Sequence, residues 1–109
     1  MGALNAMAKG YWIGRVDVTD PEAYAGYVAA NGPVFARYGA RFLIRGGRFE
    51  AVEGAARARN VVLEFPSYQA ALECYRSPEY AEAMAYRLNA SEADILIIEG
   101  YDGVQPGEG

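Results

Sequence analysis

Two charged side chains stand inside apolar runs that read as buried strands: Arg45 in RFLIRGGRFEAVEG and Glu64 in NVVLEFPS. A carboxylate buried in an apolar strand has its pKa raised toward neutrality unless an arginine pairs with it, which makes Glu64 the best candidate for a general base. Arg45 offers the complementary chemistry, a guanidinium that can hold a carboxylate or an enolate-like oxygen. Arg87 adds a second cation, and with the phenol donors of Tyr75 and Tyr80 nearby it suits a pocket for a small aromatic or carboxylated ligand. The alternative is structural. Arg45 and Glu64 can be members of interface or strand-end ion pairs, and Arg87 can lay its stem on the core and pair at the surface.

Other reactive groups are less promising. The chain has no histidine, which removes the commonest general base at neutral pH, any Ser-His-Asp triad and the commonest nitrogen ligand for metals. Ser77 precedes Pro78 and reads as a helix N-cap rather than a nucleophile. Cys74 sits in an Ala-rich helix and reads as a small core residue, although Arg76 is near in sequence. Gly46-Gly47 lacks the spacing of a phosphate loop, and the scattered carboxylates form no metal-ligand pattern. No metal and no cofactor are expected.

Composition narrows the class further. A chain of 109 residues is one domain with a real core. With 10 basic and 14 acidic side chains it lacks the positive excess that nucleic-acid binding requires, and no segment is apolar over the length of a bilayer. A single cysteine without a secretion signal fits the cytoplasm. Nine of the ten basic residues are arginine, which suits bidentate pairing with carboxylates but also follows from genome composition.

The elements that must position these groups follow from punctuation and periodicity. Residues 1–8 have no pattern and read as an extra or disordered segment, 9–101 as the domain, and 102–109 as a flexible Gly-rich tail. A strand is expected over Tyr11–Val18. A helix follows, capped by Asp20 with Pro21 at its first position, carrying the stripe Tyr24, Tyr27, Val28, Phe35 and Tyr38, kinked at Asn31-Gly32-Pro33 and ended by Gly39. A long second strand, bent at Gly46-Gly47, is expected over Ala40–Glu53, and a third over Asn60–Phe65. Ser67 and Ser77-Pro78 begin two short helices, the second with Tyr80, Ala83, Met84, Arg87 and Leu88 on its inward stripe. Asp94–Glu99 is the last strand. The order is that of a ferredoxin-like βαββαβ unit, α+β, with an antiparallel sheet covered by helices on one face.

Alternation divides the sheet. Trp12, Gly14, Val16 and Val18, Phe42 and Ile44, Val61, Leu63 and Phe65, and Leu96 and Ile98 are assigned to the helix-covered core. The other face carries Ile13, Leu43, Val62, Ile95 and Ile97 with Arg15, Arg45, Glu64 and Glu99 among them. So large an apolar patch points to a homodimer packed sheet on sheet. A strand order of 4-1-3-2 would line up Glu99, Arg15, Glu64 and Arg45. A hairpin turn near Ala56 would instead place Glu64 opposite Arg48 and Arg45 near Ser67.

These stretches, from AKGYWIGRVDVTDPEAYAGYVAAN through YGARFLIRGGRFEAVEG and NVVLEFPSYQAALECYRSPEYAEAMAYR to ADILIIEG, resemble the bacterial family known as domain of unknown function 1330. The resemblance covers Ala8–Gly100. It implies the dimeric α/β-barrel superfamily, with two ferredoxin-like sheets forming a barrel, and singles out Arg45, Glu53, Glu64, Tyr75, Ser77, Tyr80 and Arg87. Related branches include cofactor-independent monooxygenases, muconolactone isomerases and haem enzymes, the last lacking their histidine ligand here. Asn31-Gly32-Pro33 departs from the plain helix of the family pattern.

Two functions are therefore expected. The first is a homodimer that binds a small organic acid or phenol in a pocket bordered by Arg45, Glu64, Tyr80 and Arg87, with cofactor-independent proton transfer or oxygenation as its chemistry if it is an enzyme. The second is a non-catalytic dimeric binding or regulatory module whose buried charges are structural. No membrane or nucleic-acid partner enters either.

Overall fold

Asp20 leaves β1 (Gly10–Val18) in extended conformation and accepts the amide of Ala23 at 3.2 Å, which starts α1 (Pro21–Arg37) where the sequence places it. The computed structural model describes residues 8–108; apart from Ala8, the expectation for the N-terminal segment lies outside the described residues. α1 passes through Pro33 as one 17-residue element. Pro33 is on the exposed side, and so is Ala29, whose carbonyl the proline leaves without its helical donor, so water can satisfy that carbonyl. Gly39 follows the helix with φ +74°.

β2 (Arg41–Arg45) and β3 (Arg59–Phe65) come next, then α2 (Tyr68–Tyr75), α3 (Pro78–Ala85) and β4 (Ser91–Glu99). Ser67 Oγ accepts from Ala70 N at 3.0 Å and Ser77 Oγ from Tyr80 N at 3.1 Å, so both short helices carry the caps their serines announce. The strands form one antiparallel sheet in the order β2-β3-β1-β4, with the helices against one face. This is the ferredoxin-like α+β arrangement.

Several expectations need correction. The second strand ends at Arg45, not Glu53. Gly46 adopts φ +67°, turns the chain off the ladder and gives its amide to Asn60 O at 2.8 Å, and residues 46–58 make an excursion without regular structure. Register then differs as well: Glu64 stands opposite Arg41, not Arg48, and Arg45 opposite Val61, far from Ser67. A bulge at Leu43 between Phe42 and Ile44 reverses parity, so Arg45 joins Phe42 and Val61 on the helix-covered face while Ile44 goes to the other. In β4 the faces are likewise exchanged. Trp12 pairs with Ile97 and Gly14 with Ile95, which puts those two inward and leaves Leu96 and Ile98 outward at 52% and 48% exposure. The proposed charge row does not form, because Arg15 is opposite Asn60 and Asp94 and donates to Ala55 O at 3.0 Å, while Glu99 is opposite Gly10.

The core is aromatic. Trp12 packs edge-on against Phe35, Tyr75 and Tyr80, with ring centroids 5.2, 5.5 and 4.9 Å away, and donates its indole N–H to Ala71 O at 2.8 Å. Such pairs contribute about 0.5–1.5 kcal/mol each beyond area burial. The return of the 46–58 excursion is fixed by Asp17. Its carboxylate accepts Ala58 N at 2.9 Å and Arg57 Nη1 at 2.8 Å, while Arg57 Nε reaches Asp94 at 2.8 Å. The Ala58 amide, followed by Arg57, holds the Asp17 carboxyl below its ordinary pKa against the opposing effect of desolvation.

Candidate ligand site

Gly14 is the gap from which the site is built. It lies between Trp12 and Val16 on the core face of β1, and without a side chain it leaves space beneath α1. That space is a cavity of about 40 Å³ that opens to solvent. Aromatic and aliphatic walls come from Trp12, Phe35, Phe42, Val61 and Ile95, and α1 supplies Tyr24, Tyr27 and Asn31.

Three arginines from three separate segments line this apolar space: Arg45 at the end of β2, Arg59 at the start of β3, and Arg87 in the turn after α3. They form a gradient, with Arg45 exposed, Arg59 half-buried and Arg87 only 7% exposed. Arg45 lies over the Phe42 ring with Cζ 4.1 Å from its centroid, and Arg87 over Tyr27 at 5.5 Å. Among the described residues no Asp or Glu lines the cavity, and none forms a salt bridge with these three arginines. A guanidinium as buried as Arg87 is costly without a counter-charge, so such a site favours an anion from outside.

Hydrogen bonds position the deepest cation. Arg87 Nε donates to Tyr80 Oη at 3.3 Å, and Tyr80 shares a 2.7 Å hydrogen bond with Tyr27, so the fully buried Tyr80 joins α3 to α1 behind the cavity. Burial above all pushes the Tyr80 phenol far up, despite Arg87 beside it, and the group stays protonated at neutral pH. Burial likewise raises Tyr24, with Arg59 and Arg87 pulling the other way. Arg59 passes under Gly46, where a Cβ would come within 2.7 Å of Nη1.

The residues singled out from sequence are thus divided. Arg45 and Arg87 share the cavity; Tyr80 braces Arg87 from behind; Tyr75 packs on Trp12 and Tyr80 and donates to Met84 Sδ at 3.7 Å. Glu64 is on the opposite face of the sheet. There it accepts Tyr11 Oη–H at 3.0 Å, a bond that raises the Tyr11 pKa, and has Arg41 Nε at 3.9 Å. It does not border the cavity that holds Arg45. Ser77 is a cap whose hydroxyl donates to Cys74 O at 2.8 Å, and Glu53 is exposed on the excursion.

Arg59 and Asn31 are the site residues that sequence reading passed over. The alternation of Val61, Leu63 and Phe65 reaches Arg59 when carried back one step, and Asn31 falls on the stripe of Tyr24, Tyr27, Val28 and Phe35 at helical spacing.

Comparison with solved structures gives the same fold. RPA0582 of Rhodopseudomonas palustris, a protein of unknown function, is 24% identical with TM-score 0.70 over 91% of this chain and 85% of that one. SnoaB of Streptomyces nogalater, a cofactor-independent oxygenase, is 13% identical with TM-score 0.61 over 88% and 96%. A dimeric ferredoxin-like protein of unknown function from Thermobifida fusca is 12% identical with TM-score 0.58 over 85% and 92%. Identities this low establish the fold alone. No curated protein matches. Residues 9–101 match the profile of the family described as Domain of unknown function (DUF1330), and the chain belongs to that family.

Proposed function

We propose that the cavity between α1 and the sheet binds a small organic acid or phenolate. The observation that carries this reading is the convergence of Arg45, Arg59 and Arg87 on a largely apolar, aromatic space with no acidic lining residue among those described. Such a site matches a ligand with an apolar body and a negative head. Arg45 at the mouth captures the anion, and Arg59 and Arg87 hold it deeper.

The reading is one of binding before catalysis. Glu64 bonds to Tyr11 across the sheet from the cavity, which supports a structural role for it rather than that of a base. Oxygenation or proton transfer of the bound acid would rest on the guanidiniums stabilising an oxyanion, the chemistry that the SnoaB-like fold makes worth testing.

The open face of the sheet supports homodimerisation. Ile13, Ile44, Val62, Leu96 and Ile98 lie together there, a set corrected from the sequence by the registers of β2 and β4. The chain is only 16 Å thick in its shortest dimension, as two layers with one uncovered side would be. A second copy seated on this face would make the dimeric barrel.

The test of ligand class is a thermal-shift series with benzoate, phenylacetate and phenol against the neutral isosteres benzamide and phenylacetamide. Acids that raise the melting temperature while the amides do not would support the reading. Equal response to acids and amides, or to neither, would reject it.

A further inference from the structure

We infer that the anion taken by this cavity carries two charges in one compact head: it is a small aromatic phosphate monoester, whose terminal oxygens lie against Arg59 and Arg87. The inference rests on the anion-binding reading and names the ligand class within it.

The number of charges follows from the number of inner cations that nothing answers. Arg87 is buried and Arg59 half-buried, both line the cavity, and among the described residues neither has a carboxylate partner. Their polar neighbours are neutral phenols: Arg87 Nε donates to Tyr80 Oη at 3.3 Å, and Arg59 lies beside Tyr24. A phenol orients a guanidinium but leaves its charge whole. The two charges also converge, since both pull down the Tyr24 phenol against the burial that raises it. Arg45, at the mouth, is exposed and keeps its water. A monoanion held by the inner pair therefore leaves one cation uncompensated out of bulk water, which is costly, whereas a dianion answers both. Arg59 Nε is sealed from the cavity, so that residue offers only its terminal edge, Nη1 and Nη2, and Arg87, bound to Tyr80 through Nε, offers the same. A phosphoryl group brings three strong acceptor oxygens to these two edges, where a carboxylate brings two. The space is about 40 Å³, which suits one compact head and not two separated carboxylates. The aromatic body follows from Trp12, Phe35 and Phe42 in the walls.

The test is calorimetric titration of the full chain with phenyl phosphate, with phenyl sulfate, which has the same shape and one charge, and with phthalate, which separates its two charges. At about pH 8 phenyl phosphate binds about tenfold or more tighter than phenyl sulfate, the effect of one further charge-assisted contact. Its second ionisation lies near about pH 6, so at about pH 5.5 the ratio falls to about threefold, while phenyl sulfate keeps its affinity to within about twofold. Among the described residues no Asp, Glu or His lines the cavity, so this change belongs to the ligand. In Arg59→Gln the ratio at about pH 8 falls to about threefold or less, and Arg59→Lys, which keeps the charge, retains the wild-type preference. The comparison on the wild-type chain stands without the variants should they not fold. Equal affinities for phosphate and sulfate at about pH 8, or tightest binding by phthalate, would overturn the doubly charged compact head and leave anion binding intact. Absence of binding by all three would overturn both.

Discussion

Gly46 lies directly over the guanidinium of Arg59: a Cβ built on Gly46 would stand 2.7 Å from Nη1, on a residue whose φ is +67°. The glycine that ends β2 is therefore also the roof under which a cation of the opposite strand reaches the cavity. The arginine in RFLIRGG and the glycine after it border one cavity, Arg45 at its mouth and Gly46 by making room for Arg59.

Gly46→Ala has two separable effects. Left-handed backbone at a non-glycine residue costs roughly 1–2 kcal/mol, which chemical denaturation reads directly. The flexible end of Arg59 moves to relieve the contact, and affinity for benzoate falls by roughly tenfold, the value of one charge-assisted hydrogen bond. Unchanged affinity alongside the lost stability would show that Arg59 does not contact the ligand.

Gly14 separates the cavity from the fold. A Cβ there would meet Ile95 Cγ1 at 3.8 Å and Val61 O at 4.0 Å, ordinary contacts, so Gly14→Ala gains stability by roughly 0.5–1 kcal/mol as the strand loses a flexible residue. Gly14→Leu projects further into the space, keeps the far-ultraviolet circular dichroism of the wild type, and abolishes the thermal shift with acids. A Gly14→Leu protein that still responds to benzoate would place the ligand elsewhere.

Most of the architecture was legible because its signals are local. Asp20-Pro21, Ser67 and Ser77-Pro78 mark helix starts through side chains that bond amides a few residues on, and all three caps form. What was not legible depends on pairing partners. In DILIIE both alternating sets are apolar, so nothing within the strand tells Ile95 and Ile97 from Leu96 and Ile98; only the register with Trp12 and Gly14 does. The bulge at Leu43 changed the face of Arg45 in the same way, and this separated it from Glu64. Gly32-Pro33 give Asn31 the look of a helix interruption, yet its spacing from Tyr24, Tyr27 and Val28 is that of the buried stripe.

Alkaline pH should destabilise the fold. Burial pushes the Cys74 thiol from 9.0 up to about 12, so between these values the unfolded chain has released a proton that the folded chain keeps. Stability is whole below about pH 9 and falls as pH rises toward 12; Tyr24 and Tyr80, raised from 10.0 by burial, deepen the fall. The melting temperature drops by roughly 5 °C or more between about pH 8 and about pH 11. Thiol alkylation at neutral pH should be as slow as global opening. A flat profile with fast alkylation would show Cys74 to be accessible.

The sheet face gives a prediction independent of the ligand. Leu96→Glu puts a charge at the centre of the proposed dimer contact, where an unpaired buried ion costs several kcal/mol. Sedimentation equilibrium at micromolar concentration should show a dimer for the wild type and a monomer for the variant. A monomeric wild type would rule out sheet-on-sheet association.

The central claim is that three guanidiniums make an anion site in the cavity over Gly14, and a crystal structure of the protein with benzoate tests it most directly. The account predicts the carboxylate within hydrogen-bond distance of Arg59 and Arg87 and the ring between Trp12 and Phe42. Benzoate bound only at the sheet's open face, beside Arg41 or Arg57, with the cavity unoccupied by it, would contradict the account.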